Sequence, residues 1–303
     1  MQENFERTLD ELELRADPFA LCQLDGECTL GLGRMAQATL HYVLDGGGEV
    51  RLRGQRALAV GRGWLVLVPA CEWHSLRSLG HRGGGLPSCE PAELQLAHHR
   101  QQGEGGGGMA VLCGAVSIGM RGTHGLVDLL REPMVLDLTE TPAAARAMDQ
   151  ILLELGTPDV GGRAMIRALL LQCLIALFRQ RITAADPGLN WLAALGAPRL
   201  WSALQAMLEA PGADHSVESL AAVAAMSRSR FAAQFSEAYG AGPMELLREL
   251  RLARAARLLL DGREPVKRVA DLVGFRSRSA FSRAFTARMG SSPQAFRLAR
   301  RPE

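Results

Sequence analysis

Arginine and serine recur at one spacing in the last third of this chain. The run Ser227-Arg228-Ser229-Arg230-Phe231-Ala232-Ala233-Gln234-Phe235 returns fifty residues later as Ser277-Arg278-Ser279-Ala280-Phe281-Ser282-Arg283-Ala284-Phe285. The surroundings keep that offset: Gly240-x-x-Pro243 answers Gly290-x-x-Pro293, Leu220-Ala221 answers Val269-Ala270 one residue out of step, and Ala225 nearly answers Gly274. A guanidinium carries five donors in a rigid fork that fits a guanine edge or a phosphate. Two arginine-studded helices, each opened by a serine, therefore carry the chemistry of a reader of double-stranded DNA. A helical repeat that binds protein would more often have three or more copies.

A second set of reactive side chains lies in the first 113 residues. Cys22 ends the apolar run Phe19-Ala20-Leu21-Cys22, and Cys113 sits in Val111-Leu112-Cys113-Gly114. A free thiol is usually a small buried hydrophobe, and only an accessible, ionisable one senses oxidant. His41 and His74, with Cys71 nearby, offer too few ligands for a metal that needs three or four. No metal or cofactor is assigned. His41 and His74 read instead as residues lining a pocket, inside a cavity or at its rim.

The elements that must position the repeat are helices. Leu200, Leu204, Met207 and Leu208 mark one amphipathic helix, ended by Ala210-Pro211-Gly212. Ser216 caps the next and Ser227 a third, in which Phe231 and Phe235 at i, i+4 face inward. Gly240 closes that helix, and Pro243 opens a long one reaching about Leu260. The second copy runs from Pro265 to Val273, turns at Gly274, restarts at Ser277 with Phe281 and Phe285 inward, and ends in a short helix after Pro293. With those phenylalanines inside, Ser229, Ala232, Ala233 and Ser236 face out in the first copy, and Arg278, Ser279, Ser282 and Arg283 in the second. Arg278 and Arg283 are set to pair with guanine, while the first copy, with alanines at two outward positions, is expected either to read thymine methyls or mainly to anchor to phosphate through Arg228 and Arg230. A connecting helix of about eighteen residues spans roughly 27 Å. Successive major grooves on one DNA face lie roughly 34 Å apart, so one chain can reach two adjacent grooves.

The N-terminal part reads as strands. Ala38 to Leu44 leads to Asp45-Gly46-Gly47-Gly48, with Val50 to Arg53 expected as its hairpin partner. Trp64 to Val68 stops at Pro69, and Met109 to Cys113 emerges from the glycines at 105–108. Many short strands with such turns favour a sandwich or small barrel. The loop from about Leu79 to Gly108 is expected to be mobile. Pro142 to Leu155 and Gly162 to Arg181 are amphipathic helices; the second, with Met165, Leu169, Leu170, Leu174, Ile175 and Phe178, is apolar enough to pack on the barrel and on a copy of itself. Asp186-Pro187-Gly188 and Gly196-Ala197-Pro198 mark a linker over 183–198.

Composition agrees with a protein of about two domains. No run is long and apolar enough to span a membrane, the N-terminal segment does not read as a signal peptide, and the expected location is cytoplasmic. The six cysteines do not read as a disulfide scaffold, and no C-x-x-C pair suggests zinc. The net charge of +2 conceals an asymmetry. Residues 199–303 carry seventeen Arg or Lys against ten Asp or Glu, and residues 1–198 seventeen against twenty-two. A basic third joined to an acidic remainder fits a nucleic-acid module attached to something else.

The C-terminal 105 residues resemble the DNA-binding domain of AraC/XylS-type transcriptional regulators. The likeness is carried by Leu246-Leu247-x-x-Leu250-Arg251-Leu252-x-x-Ala255-x-x-Leu258-Leu259, by Val269-Ala270-x-x-Val273-Gly274-Phe275 running on to Ser282-Arg283-Ala284-Phe285, and by Gly290-x-x-Pro293-x-x-Phe296-Arg297. It implies that the second helix of each unit enters a major groove, with RNA polymerase as a further partner. Gly63-x5-Pro69-x4-His74 is similar to the second motif of the cupin barrel. The first motif is weaker, with His41 present but Val43 where a second metal histidine would fall. Cys22 and Cys113 resemble cysteines of cupin-sensor regulators that answer reactive chlorine and related oxidants, with Cys89 in reserve.

The expected architecture is multidomain α+β. Residues 1–182 form a cupin-like β-barrel with two packing or dimerisation helices, 183–198 a linker, and 199–303 an all-α domain of two helix-turn-helix units joined by a long helix. The expected function is a sequence-specific DNA-binding regulator, an activator and a homodimer. It would be controlled through its barrel by a small-molecule effector or by cysteine oxidation. The alternative is a cupin-type metal-dependent enzyme with a helical appendage, which needs a complete ligand set.

Overall fold

A period-two alternation carries the first half of the chain into sheet, as Ala20, Cys22 and Leu24 on one long strand show by turning to a buried face. A computed structural model describes residues 8–80, 91–139 and 141–298. Their contacts divide the chain into two compact units. One holds Leu14–Ser117 with Glu132–Thr183; the other holds Ile118–Arg131 with 184–298 and the short segment 8–13.

The strands are β1 (Leu12–Arg34), β2 (Ala38–Leu52), β3 (Leu58–Gly61), β4 (Trp64–Val68), β5 (Trp73–Leu79), β6 (Ala97–Gln102), β7 (Glu104–Met120), β8 (Thr123–His124) and β9 (Met134–Asp137). They lie in the order β8-β7-β1-β5-β2-β4-β9, and a further β7–β2 pairing closes β7, β1, β5 and β2 into the expected barrel. Its interior is filled by Val43, Val50, Val66, Leu76, Val111 and their neighbours, with Cys22 and Cys113 among them.

The glycines of β2 do not make the expected hairpin. Residues 38–52 run as one strand that bends and changes partners: Thr39–Tyr42 pair with β4 and Ala38–Gly46 with β7, whereas Gly48–Leu52 pair with β5. Close approach explains the composition. A Cβ on Gly46 (φ +69°) would lie 1.9 Å from the Gly108 carbonyl oxygen, and one on Gly48 would lie 2.0 Å from that of Arg77. Likewise residues 105–108 belong to β7 rather than to a loop. Residues 81–90, with Cys89, lie outside the described residues.

Two helices complete this unit: α1 (Pro142–Gly156) and α2 (Gly162–Thr183). In α2, Leu169, Leu170, Leu174 and Phe178 are buried, while Met165 is exposed and Ile175 half-buried.

In the other unit the segment read as a linker carries a 3-10 turn and α3 (Asn190–Ala194), where Trp191 and Leu192 are buried. There follow α4 (Pro198–Glu209), α5 (Val217–Val223), α6 (Arg228–Tyr239), α7 (Pro243–Asp261), α8 (Val266–Leu272), α9 (Arg278–Met289) and α10 (Pro293–Leu298). Ser216 and Ser219 form a reciprocal cap on α5, and Ser277 accepts from the Ala280 amide at 3.1 Å. Ser227 holds the cap position of α6 without a side-chain bond. Pro243 stands in the first turn of α7, where its missing N–H costs nothing. Among the described residues no helix is long and apolar enough to cross a membrane.

Candidate DNA interface and buried thiol–imidazole cluster

The two copies of the repeat build the same object. In each, the turn residue has positive φ (Ala225 at 50°, Gly274 at 77°), and the residue after it donates back five positions, Met226 to the Ala221 carbonyl and Phe275 to that of Ala270. The second copy has one more residue between that turn and its serine cap, which is why the two halves of the repeat differ in offset. Phe231 and Phe235 are buried with ring centroids 5.3 Å apart, and Phe281 and Phe285 with centroids 5.5 Å apart. Those anchors leave the opposite faces of α6 and α9 to solvent. Arg228, Ser229, Arg230 and Ala233 are exposed and Ala232 half-buried; Arg278, Ser279 and Arg283 are exposed and Ser282 half-buried. Arg228 is paired with Glu218 at 2.8 Å.

Arg251 of α7 does something else. Its Nε donates to the Pro211 carbonyl at 2.7 Å and its Nη2 to that of Ala213 at 2.8 Å, tying the connecting helix to the turn before α5. Burial lowers its pKa, and nearby Asp214 opposes that shift. Nothing in the spacing of Arg251 within its helix marks this role. Only the fold distinguishes an inward arginine from an outward one.

Inside the barrel, four reactive side chains from four strands meet. Cys22 Sγ lies 3.5 Å from Cys113 Sγ, and Cys113 Sγ lies 3.2 Å from His41 Nδ1. His41 Nε2 lies 3.0 Å from His74 Nε2. Thr39 Oγ1 sits 3.0 Å from the former nitrogen and 3.4 Å from the latter. His74 Nδ1 faces the Glu72 carbonyl oxygen at 3.1 Å. Both sulfurs and His41 are fully buried, and His74 is 1% exposed. The register accounts for the central contact, because His41 and Cys113 are direct partners across the β2–β7 ladder and share a face.

Hydrogen-bond bookkeeping fixes the protons of the neutral cluster. A carbonyl only accepts, so His74 donates from Nδ1 and accepts at Nε2. His41 then donates from Nε2, and its Nδ1 accepts from the Cys113 thiol. Burial, then the neighbouring His74, holds the His41 pKa well below the usual imidazole value, and burial lowers that of His74. The bond to Cys22, then burial, pushes the Cys113 thiol well above its usual range. Cys113 and His74 thus occupy opposite nitrogens of His41 instead of converging on one point. Among the described residues no three His, Cys, Asp or Glu side chains are arranged to hold a metal.

Comparison with known proteins places both units. A helix-turn-helix domain model matches residues 220–299, and a cupin model matches residues 5–183. The chain belongs to the AraC-type transcriptional regulators with a cupin domain. Among relatives of this family, it is 40% identical to the RCS-specific HTH-type transcriptional activator RclR of Escherichia coli over 119 residues, 39% of this chain and 42% of that protein. The matched stretch therefore spans less than half of RclR. To the HTH-type transcriptional regulator AlkR of Acinetobacter baylyi it is 24% identical over 96% of this chain and 97% of that protein. A putative AraC-like transcription regulator of Streptomyces lividans shares 33% identity over 61% of this chain and 62% of that one. As an AraC-type regulator the chain is a DNA-binding protein of transcription, and α6 and α9 occupy the second-helix position of its two helix-turn-helix units.

Proposed function

We propose that this protein is a redox-controlled, sequence-specific activator of transcription, switched by joining Cys22 to Cys113. One observation carries the reading: the two sulfurs touch at 3.5 Å inside the barrel, and a disulfide requires them to close to about 2.0 Å. A hypohalous oxidant balances the change. Two thiols and one hypochlorous acid give one disulfide, chloride, a proton and water; each sulfur loses one electron and chlorine gains two. That RclR is named RCS-specific supports the same class of signal. The crosslink would stitch β1 to β7, and a switch of this kind works only by stabilising one of two states over the other.

In this reading α6 and α9 enter adjacent major grooves. Arg278 and Arg283, with Ser279 and Ser282, read bases; Arg228 and Arg230 hold phosphates; Ser229, Ala232 and Ala233 face the first half-site. The connecting helix α7 has 19 residues, a span of about 28 Å.

The test is promoter binding and reporter output with and without mild hypochlorous acid, in wild type, Cys22→Ser and Cys113→Ser. Loss of the response in both variants, with basal DNA binding kept, is the expected result. A response that survives in both would remove the thiol switch. It would instead favour a small-molecule effector for which His41 and His74 exchange their mutual bond for ligand contacts.

A further inference from the structure

Resting on the oxidation reading above, the geometry points to His41 as the base that takes the proton of Cys113, with His74 and Thr39 holding the ring that does it. Cys113 becomes the sulfur that meets the oxidant, and Cys22 the thiol that resolves it.

The asymmetry of the cluster carries this. Both cysteines are buried, yet among the described residues it is Cys113 that has a ring nitrogen at its sulfur, His41 Nδ1 at 3.2 Å, whereas the polar neighbour of Cys22 is Cys113 itself. The bond to Cys22, then burial, disfavours a standing thiolate at Cys113, so its proton has to leave as the bond to the oxidant forms. The sulfur that has a proton acceptor beside it is the one that reacts first. That base is held in one tautomer by a chain that ends on a backbone carbonyl, through His74 Nε2 at 3.0 Å and His74 Nδ1 to Glu72 at 3.1 Å. If the His74 ring were turned over, a carbon would face His41 and the chain would break. Thr39 lies against both Nε2 atoms and can accept from one and donate to the other. His41 is therefore a group that touches the reacting atom; His74 and Thr39 are positioning residues.

The steps balance. As the Cys113 S–H proton moves to His41 Nδ1, the sulfur takes chlorine from hypochlorous acid, forming S–Cl and breaking Cl–O. The departing hydroxide takes the proton back from His41 as water. Cys22 sulfur then attacks Cys113, forming S–S and breaking S–Cl, and chloride and the Cys22 proton leave to solvent. While His41 carries the extra proton, transfer of its Nε2–H to His74 moves the positive charge one ring further from the sulfur. The titratable groups that face His41 are Cys113 from β7 and His74 from β5, with Cys22 of β1 beyond Cys113. From β4, Val66 lies opposite His41 in register.

The experiment is rapid-quench oxidation of the full chain by hypochlorous acid from pH 6 to 9, with the Cys22–Cys113 linked peptide read by mass spectrometry. Each rate is taken where it is linear in oxidant and divided by the concentration of un-ionised acid, which falls across this range as hypochlorite forms. Wild type should link at a rate that levels once His41 is neutral. His41→Asn should link about 10²-fold more slowly at pH 7, with a rate that climbs tenfold per pH unit as hydroxide replaces the missing base. His74→Gln, which can still accept from His41, should keep most of the rate that His74→Leu loses. Equal rates and equal pH slopes in wild type and His41→Asn would overturn the inference, as would the absence of the linked peptide in wild type. If His41→Asn does not fold, the wild-type profile decides alone: a tenfold-per-unit climb between pH 7 and 8.5 refutes the base. The reporter assay with the serine variants is separate. A response that survives there removes the switch but leaves the rate comparison standing.

Discussion

Residues of one type divide here by what surrounds them. Arg283 is exposed on α9, so Arg283→Ala should relax base preference at one operator position by about 1–3 kcal/mol. Arg230→Ala should instead weaken binding to all sequences alike, as a lost phosphate contact does; competition titrations on matched and mismatched duplexes separate the two. Equal loss on every duplex for Arg283→Ala would refute its assignment as a base reader. The histidines make a second prediction. Both pKa values are lowered in the folded barrel, so below about pH 6.5 the unfolded chain binds protons that the folded one does not. Stability should then be fully present above that pH and fall as pH drops, by at most about 1.4 kcal/mol per pH unit for each histidine. Denaturant melts of wild type and His41→Asn at pH 7.5 and 5.5 check the sign: the variant should lose less on acidification. The types and spacing of the arginines made their outward positions legible in the sequence, because Phe231 and Phe235 fix the phase of a helix. The bond between His41 and Cys113 was not legible, because residues 72 apart meet only once the register of two strands is set.

Elements show where the repeat is unequal. Gly274 takes positive φ without strain, and a Cβ there would lie 2.6 Å from the Gly212 carbonyl and 3.0 Å from the Arg251 guanidinium. Ala225 takes the same region at φ 50° without glycine's freedom. Ala225→Gly should therefore stabilise the helical unit by about 0.5–1 kcal/mol, and Gly274→Ala should destabilise it by more than about 1 kcal/mol. Thermal melts of the full chain measure both; a destabilising Ala225→Gly would mean that the strain is relieved elsewhere. The glycines of β2 teach the opposite lesson about elements. A run of three glycines reads locally as a turn, and here it is a bend that lets strands pass close to Gly108 and Arg77. Nothing within the run distinguishes those uses, since the neighbours that leave no room for a Cβ are 29 to 62 residues away.

At the scale of the whole molecule, α1 and α2 border a groove of about 600 Å³ lined by Ala143, Ala168, Leu171, Ile175, Ala176 and Arg179. The homodimer expected from the apolar α2 would meet on this face. The expected outcome is a dimer in sedimentation, shifted toward monomer by Leu171→Glu with Ile175→Glu and retained in Arg230→Ala. A wild-type monomer at assay concentration would dismiss the face. The chain also crosses between its units more than once: Ile118–Arg131, well inside the first half of the sequence, clusters with the helical unit, where Asp128 pairs with Arg257 of α7. Pattern and composition divide the chain near residue 183, and no local signal marks the earlier crossing.

Sequence alone determined the class of protein: a repeat of serine caps, inward phenylalanines and outward arginines, joined to a strand-rich half with a cupin-like motif. Those features are local, set by periods of 3.6 and 2 and by what glycine, proline and serine permit within a few residues. Tertiary structure alone decided which thiol lies against an imidazole, which arginine is a strut and which glycines are bends. Each of those depends on atoms brought together by strand register and helix packing from far along the chain, and such proximity leaves no trace in the spacing of a single sequence.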